Sequence, residues 1–533
     1  MATTGLARIF LRKSVGQIQS EHEHGELKRT LGPLNLILLG IGCIIGTGIF
    51  VLTGRAAAQF AGPGIMISFV ITGTLCAFVA LCYAELASAL PVSGSAYSYT
   101  YASMGEGAAW VMGLLLILEY GLAASTVAVG WSGYFSSLMA DMHIIIPPAL
   151  TAAPGVAVKD ATGAVIATGV ANVPAIVIIG LVTMLLIRGV SESATVNNVI
   201  VAIKLTVVIA FIVIGARYVH PANWSPLVPA QIPAAPAGTN MDIWHQIGRA
   251  LVAVVSGDNS TKYGVGGVIH GAAVIFFAYL GFEAVSTAGA ESRNPGKDMP
   301  IGILGALIIC TVLYIMTSAV LVGIVPYALL DVPAPIALAA NMMGLKWFAI
   351  LVKIGAIAGL SSVMLVLLYG QTRIFYTVSR DGLLPKALAT VHKKFLTPWI
   401  NTIIVGVAAM AAAGFLSLDA LSDLSNVGSL AAFALVCITV IYLRRSDPDL
   451  VRPFRTPLYP LVPILGALMC LVLLLSLMAT HATRNFFLIY LVVGIVIYFL
   501  YGIRNSNLGK GIVVRGHEAD PFLDLPHKGD LDS

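Results

Sequence analysis

Lys204 stands in the middle of a long apolar run, in Val201-Ala202-Ile203-Lys204-Leu205-Thr206. Snorkelling cannot easily carry its ammonium to water, because both ends of the run are distant, and a lysine at mid-bilayer costs about 2.5–3.5 kcal/mol on insertion scales. Burial penalises the charged form of an amine, which makes Lys204 a candidate proton carrier. The alternative is a fixed cation that ties helices together through backbone carbonyls. Three acids also fall within apolar runs: Glu85, Glu119 and Glu283. Glu85 lies near the end of its run, where anchoring or gating is expected. Glu119 is deeper and fits either a protonated packing group or a relay member. Glu283 follows a mid-run glycine, so gating or proton sensing competes with a structural hydrogen bond. Lys353 lies near the end of its run, where snorkelling suffices.

Two runs break the rules of a lipid-spanning helix. The first reads Leu39-Gly40-Ile41-Gly42-Cys43-Ile44-Ile45-Gly46-Thr47-Gly48-Ile49-Phe50. Its glycines weaken the helix and leave peptide N–H groups free, which is tolerated at membrane depth only where protein or a wet cavity supplies partners. Free N–H groups at the start of a half-helix bind carboxylates. The same glycines would also serve a close packing face. The second run, Phe276-Phe277-Ala278-Tyr279-Leu280-Gly281-Phe282-Glu283-Ala284, has a glycine and an acid in mid-span. Paired interruptions in matching halves of a chain are the best sequence pointer to a transporter's central site. One break offers donors to an anion and the other offers carbonyls to a cation. Together they describe a receptor for a zwitterion such as an amino acid.

The elements that must position these residues are transmembrane helices. Of the 533 residues 58% are hydrophobic and 10% charged, too little charge to cover a water-facing surface, and 53 glycines suit close helix contact in lipid. Twelve stretches are apolar enough to span, given that about 20 residues are needed: 34–53, 65–90, 108–138, 173–187, 194–216, 268–290, 301–325, 347–369, 398–416, 427–443, 458–478 and 486–501. With the amino terminus inside, 21 Lys and Arg fall on inner segments and 7 on outer ones, as positive-inside orientation requires. Both termini are then cytoplasmic. The chain divides into a cytoplasmic amino-terminal segment (1–33), a first half of five helices (34–216), an extracytoplasmic loop (217–267), a second half (268–443), two further helices with their loop (444–503) and a polar tail (504–533) expected to be disordered.

Residues 1–30 lack an apolar core, so no cleaved signal is expected. The six cysteines read as small buried hydrophobes, with no CxxC metal site. The ten histidines form no catalytic cluster, no basic block suits nucleic acid, and no protein partner is indicated. Neither an enzyme nor a metal site is therefore expected.

The motifs together resemble the APC (amino acid-polyamine-organocation) superfamily of permeases. They are the GxGxIIGTGIF run within residues 31–50, Cys82-Tyr83-Ala84-Glu85, Pro91-Val92-Ser93-Gly94-Ser95-Ala96-Tyr97 and residues 277–283. Leu118-Glu119-Tyr120, Val129-Gly130-Trp131-Ser132 and Glu291-Ser292-Arg293-Asn294-Pro295 narrow the likeness to bacterial members of its cationic amino-acid transporter branch. The resemblance implies an all-α membrane protein with a LeuT-type five-plus-five inverted repeat, two extra helices, discontinuous helices one and six, and alternating access. It maps the substrate carboxylate onto the amides of Gly46, Thr47 and Gly48. It maps the substrate amino group onto the carbonyls of Ile44, Phe277, Ala278 and Leu280, with Phe277 as the lid. Proton-coupled relatives hold a lysine where sodium-driven ones hold sodium. Lys204 matches it, and Ser361 and Ser362 match the neighbouring hydroxyls, so proton symport without sodium or any cofactor is implied.

The identifiable side chains beside the breaks are Ile44, Ile45, Phe276, Phe277 and Leu280. None is an acid placed for a cationic head group, so small or medium neutral L-amino acids are expected rather than cationic ones. The implied setting is a bacterial inner membrane. Rivals on the same fold are an amino-acid exchanger and a polyamine permease. A major-facilitator carrier would show basic residues between helices two and three, and 91–107 holds no Lys or Arg. A channel or a transporter-like sensor lacks its own motif here.

Overall fold

The computed structural model describes residues 7–13, 30–92, 94–159, 164–189, 194–232, 262–395 and 397–512, with isolated positions between 246 and 253. Ser93, most of 1–33, much of the 217–267 loop and the tail beyond 512 lie outside the described residues.

Each apolar stretch read from the sequence contains helix: α1 (Pro33–Ile44), α2 (Ile65–Ala89), α4 (Glu106–Asp141), α5 (Val173–Ile187), α6 (Ala194–Gly215), α7 (Gly264–Ile275), α8 (Pro295–Ile324), α9 (Lys346–Arg380), α10 (Trp399–Phe415), α11 (Leu418–Ser446), α12 (Leu461–Met478) and α13 (His481–Ile497). A shorter helix, α3 (Ser95–Met104), lies between α2 and α4. Among the described residues nine helices are long and apolar enough to cross a bilayer, and α1, α5 and α10 are shorter apolar helices. The chain is an all-α, multi-pass membrane protein. Proline opens α1, α5 and α8, where its missing N–H is no loss. Asn172 and Ser417 cap α5 and α11 by accepting from the N–H groups of Ala175 and Ala420.

Burial sorts the helices. The most apolar window of α4 is 78% buried inside the protein and that of the segment containing α13 only 22%. So α4 stands at the centre, packed along α9 and α11, while α13 faces lipid. On the opposite side of the core, α8 packs against α1 and α2.

The first and last described segments meet at one face. Lys13 pairs with Asp381 at 2.8 Å, and Asp381 also accepts from Tyr97 of α3. Glu106 at the start of α4 accepts from Tyr101, Tyr498 and Ser506. On the same face the entry to α1 is stapled to the exit of the sixth span: Leu31 N–H donates to the Glu291 carbonyl (3.1 Å) and Arg293 N–H to the Leu31 carbonyl (2.9 Å).

Glu85, for which anchoring or gating is expected, is held in a buried ion pair. It is 2% exposed, accepts from Arg444 at 2.8 Å and from the Thr456 N–H at 2.8 Å, and faces Arg452 at 3.5 Å. Removing one partner of a buried pair costs about 3–5 kcal/mol because the other charge is left unpaired. Glu85→Ala should therefore lower the thermal unfolding midpoint in detergent by several degrees more than an exposed acid such as Asp449→Ala. An equal shift for both would show that the pair carries no stability.

Lys353 departs from expectation. Instead of snorkelling it is 1% exposed and ion-paired with Asp141, with the Ser137 carbonyl at 3.2 Å. α4 ends at Asp141 beside it, and a partner already within the protein removes the need to reach the headgroups. The chain beyond that helix end folds into a two-stranded antiparallel hairpin, β1 (Ala157–Lys159) and β2 (Val165–Thr168).

Candidate functional site

The first span breaks where its glycines cluster. α1 ends at Ile44, and Ile45 is extended (φ −72°, ψ 97°). The chain then re-forms a wide helical turn over Gly48–Leu52. The first bond of the second piece runs from Phe50 N–H to the Gly46 carbonyl at 3.3 Å. The N–H groups of Gly46, Thr47 and Gly48 therefore have no partner one turn ahead within that piece, the orphan donors that every helix start leaves. The hydroxyl of Thr47 is buried with no hydrogen-bond partner.

The sixth span breaks in a complementary way. α7 ends at Ile275, Phe276–Tyr279 form one tighter turn, and Leu280 is extended (ψ 134°). Gly281 takes φ +117°, which a residue with a Cβ rarely adopts, and its N–H donates to the Glu283 carboxyl at 2.8 Å. Helix resumes over Glu283–Glu291.

The two breaks cross each other. A Cβ added to Gly48 would lie 2.1 Å from the Ala278 Cα, and one added to Gly281 would lie 2.7 Å from the Cys43 carbonyl carbon. Backbone meets backbone at both points, which only glycine permits. Between them is a cavity of about 20 Å³ lined by Ile44, Gly46, Thr47, Gly48, Phe277 and Leu280. Ala278 is the expected site residue outside that lining, and it forms the floor against Gly48. Such a volume holds about one water, so this conformation is closed and an amino-acid-sized ligand requires its walls to part.

Some expected acceptors already have donors. Tyr314 of α8 donates to the Ile44 carbonyl at 2.8 Å, and Leu280 N–H to the Phe277 carbonyl at 3.3 Å. A carbonyl has two lone pairs, so each keeps one for a second donor. Asn426 of α11 donates to the carbonyls of Ala273 and Val274 at 3.0 and 3.1 Å and holds the last turn of α7. The sequence reading began that span at 427, one residue too late to count this polar group.

Lys204 is fully buried on α6, and its Nζ donates to the Gly42 carbonyl of α1 at 2.7 Å. Its aliphatic stem lies on Gly359 of α9, and Cys310 of α8 lies within its electrostatic reach. It therefore touches the stretch of α1 just before the break. Of the two hydroxyls paired with it by resemblance, Ser361 donates to the Ile357 carbonyl and accepts from Trp131 at 3.0 Å, and Ser362 turns back to Gly359. Glu119 and Glu283 are both buried and lie close enough to feel each other's charge.

The remaining cavity walls are Cys43, Ala123, Val127, Val363 and Leu367, from α1, α4 and α9. Sequence reading did not single them out, because ordinary apolar residues in apolar helices carry no local signal. They add no charge to the lining. Among the described residues no cluster of His, Cys, Asp and Glu could hold a metal ion.

Comparison with known proteins bears on this geometry. Residues 31–498 match the amino acid permease family model. The chain is 44% identical over 505 residues to a methylthioribose transporter of Bacillus subtilis, covering 95% of this chain and 100% of that protein. It is 44% identical over 504 residues to the branched-chain amino acid permease BcaP of the same organism, covering 94% and 99%. A vacuolar cationic amino acid transporter 4 of Arabidopsis thaliana is 34% identical over 437 residues, 82% of this chain and 66% of its own length.

Proposed function

The chain belongs to the amino acid permease family, a transporter and not an enzyme, and from that premise we propose that it imports small or medium neutral L-amino acids by proton symport. The observation that carries this reading is the crossing of two broken helices around an uncharged cavity. In it the amides of Gly46, Thr47 and Gly48 receive the substrate carboxylate. The carbonyls of Ile44, Phe277, Ala278 and Leu280 receive the ammonium. Phe277 is the lid, and the Thr47 hydroxyl supplies a further hydrogen bond. The uncharged walls favour an apolar side chain, since a buried cationic head group would lack a partner. The relative named as a branched-chain permease agrees with that preference.

Lys204 is the proton carrier in this reading, with Glu283 and Glu119 as further candidates. It sits against the Gly42 carbonyl, so a change in its charge bears on the segment that holds the carboxylate. Ser361 and Ser362 complete the position that sodium would occupy, and no sodium is used. The architecture is a LeuT-type fold of twelve helices in two inverted halves of five, with two more behind. The face where Lys13 meets Asp381 is cytoplasmic, and the membrane is the bacterial cytoplasmic membrane.

A second reading follows from the relative named as a methylthioribose transporter. That solute has neither carboxylate nor ammonium, and the apolar cavity would take its thioether. Uptake into proteoliposomes separates the two, using labelled L-amino acids and methylthioribose with and without an inward proton gradient and with sodium absent. Saturable, gradient-dependent accumulation of neutral amino acids is expected. The matching amines and amides should compete at least tenfold more weakly than the parent acids. Equal competition by an amine removes the carboxylate site, and uptake only into preloaded vesicles makes the protein an exchanger.

A further inference from the structure

α4 starts on the face of Lys13 and Asp381, crosses the bilayer and ends at Asp141, so the β1–β2 hairpin that follows lies on the opposite face. The root of the hairpin is fixed. Gly169 N–H donates to the Val156 carbonyl at 2.8 Å, and Val170 N–H to the Ala149 carbonyl at 2.7 Å. Asn172 N–H then donates at 3.0 Å to the Gly414 carbonyl near the end of α10, so hairpin and α10 share one rim. That rim is apolar and is not covered by the described residues. Ile166 is 53% exposed, Val170 62% and Phe415 56%, with Val165 and Leu416 exposed beside them. From 142 to 187 the only charged residues are Lys159 and Asp160, one of each sign. A water-facing loop carries more charge than this, and a contiguous exposed apolar patch marks a surface that meets something.

Helix length says what it meets. α5 has 15 residues and is about 22 Å long, against a hydrocarbon core of about 30 Å. Any tilt enlarges the shortfall. The other end of α5 is set by Arg188, exposed directly after Ile187, where a cation marks the headgroup level. The missing length of about 8 Å therefore falls at the hairpin end, where roughly two to three residues of extended chain cover it. α10, packed on α5, has 17 residues and is short in the same way. The exposed stripe of α5, with Val177, Leu181 and Leu185 at intervals of four, runs up through Val173 into Val170. The apolar rim thus continues a surface that already faces lipid.

We propose that the hairpin is a membrane anchor, seated in the headgroup layer of that leaflet with its apolar side chains in the outermost acyl region. It completes the span that α5 and α10 leave short. The two outer edges of a two-stranded sheet keep unpaired N–H and C=O groups, which excludes the dry hydrocarbon and holds the hairpin at the wet interface. A hairpin of two strands is marginal in water alone, and burying its side chains in lipid supplies what the protein core does not. With one Lys and one Asp the loop carries no net charge, so the contact is with acyl chain rather than with a particular headgroup. α5 and α10 pack on α4 and α9, and the anchor sets the depth at which these four helices stand in the bilayer. None of this depends on which solute is carried.

The test uses full-length protein in liposomes with a single nitroxide label introduced through Val165→Cys, Ile166→Cys, Val170→Cys or Phe415→Cys. The six native cysteines are buried, and unsubstituted protein gives their background. Collision with oxygen, which concentrates in lipid, is compared with collision with a water-soluble nickel chelate. The oxygen-to-nickel ratio should be severalfold higher at 170, at 415 and at one or both of 165 and 166 than at Asp449→Cys, an exposed position. Nickel-dominated relaxation at both 165 and 166 overturns the proposal. So does dipolar broadening between labels, which would put a second copy of the chain on this face. Unsubstituted protein in liposomes that contain a lipid with a photoreactive group high on its acyl chain gives a check free of variants. Adducts are expected on residues 164–172 as well as on α5, and a hairpin left bare beside a labelled α5 overturns the anchor.

Discussion

Gly48→Val eliminates substrate binding and leaves a protein that inserts and purifies normally. Even the Cβ of an alanine at 48 would lie 2.1 Å from the Ala278 Cα. Carbon atoms rest at about 3.5–4.0 Å, so the two segments would have to separate by roughly 1.5 Å. Overpacking of this kind costs about 1–3 kcal/mol and sometimes more. Here both partners are backbone, and no rotamer change gives relief. The separation pulls the orphan amides of Gly46 and Thr47 away from the carbonyls of the sixth span, and a receptor for both ends of a zwitterion needs them at one spacing. A loss of affinity of at least 100-fold, about 2.7 kcal/mol or more, should appear in binding measured on monodisperse protein. Wild-type affinity in a well-folded Gly48→Val protein would move the site elsewhere.

Lys204→Gln should abolish accumulation against a gradient, reducing uptake to the equilibrium level, while exchange continues at a lower rate. Glutamine still offers an N–H to the Gly42 carbonyl but cannot take up or release a proton. Lys204→Met separates coupling from structure. It matches the stem that lies on Gly359 and removes the donor, so the Gly42 carbonyl is left bare at a cost of about 1–3 kcal/mol. If Lys204 is only a fixed cation, Met lowers the unfolding midpoint and Gln leaves pH-dependent accumulation intact. If it carries the proton, both variants lose accumulation and only Met loses stability.

The parts of this site that were legible in the sequence are those where one residue type is out of place locally. Glycines at 46, 48 and 281 inside apolar runs marked both breaks, and Gly48 and Gly281 proved to be points where backbone crosses backbone. Lys204 was conspicuous because a charge at mid-span is costly in lipid. The helices were legible because apolar length alone defines a span. The family likeness drawn from the motifs matched the comparison with known permeases over residues 31–498.

What stayed hidden depends on partners far apart in the chain. Nothing near Tyr314 announces that its hydroxyl binds Ile44, 270 positions away. Lys353 looked like an end-of-helix lysine because Asp141, its partner, lies 212 residues earlier. α11 begins at Leu418 rather than 427 because Asp419, Ser422 and Asp423 dilute the hydropathy of turns that are nonetheless helical, and Asn426 was lost with them. The walls from Ala123, Val127, Val363 and Leu367 were invisible for the plainest reason, being indistinguishable from any lipid-facing neighbour until the helices are assembled.

The two backbone bonds that join Leu31 to Glu291 and Arg293 have a bearing on speed. Neither lower half of the broken helices can tilt away alone without baring peptide groups at the membrane edge. Any opening on that side would have to move the two halves together, as a single leaf with one barrier. A substitution that stiffens either half should slow release for both ends of the cargo alike, and no state should persist in which its carboxylate has come free while its ammonium is still held.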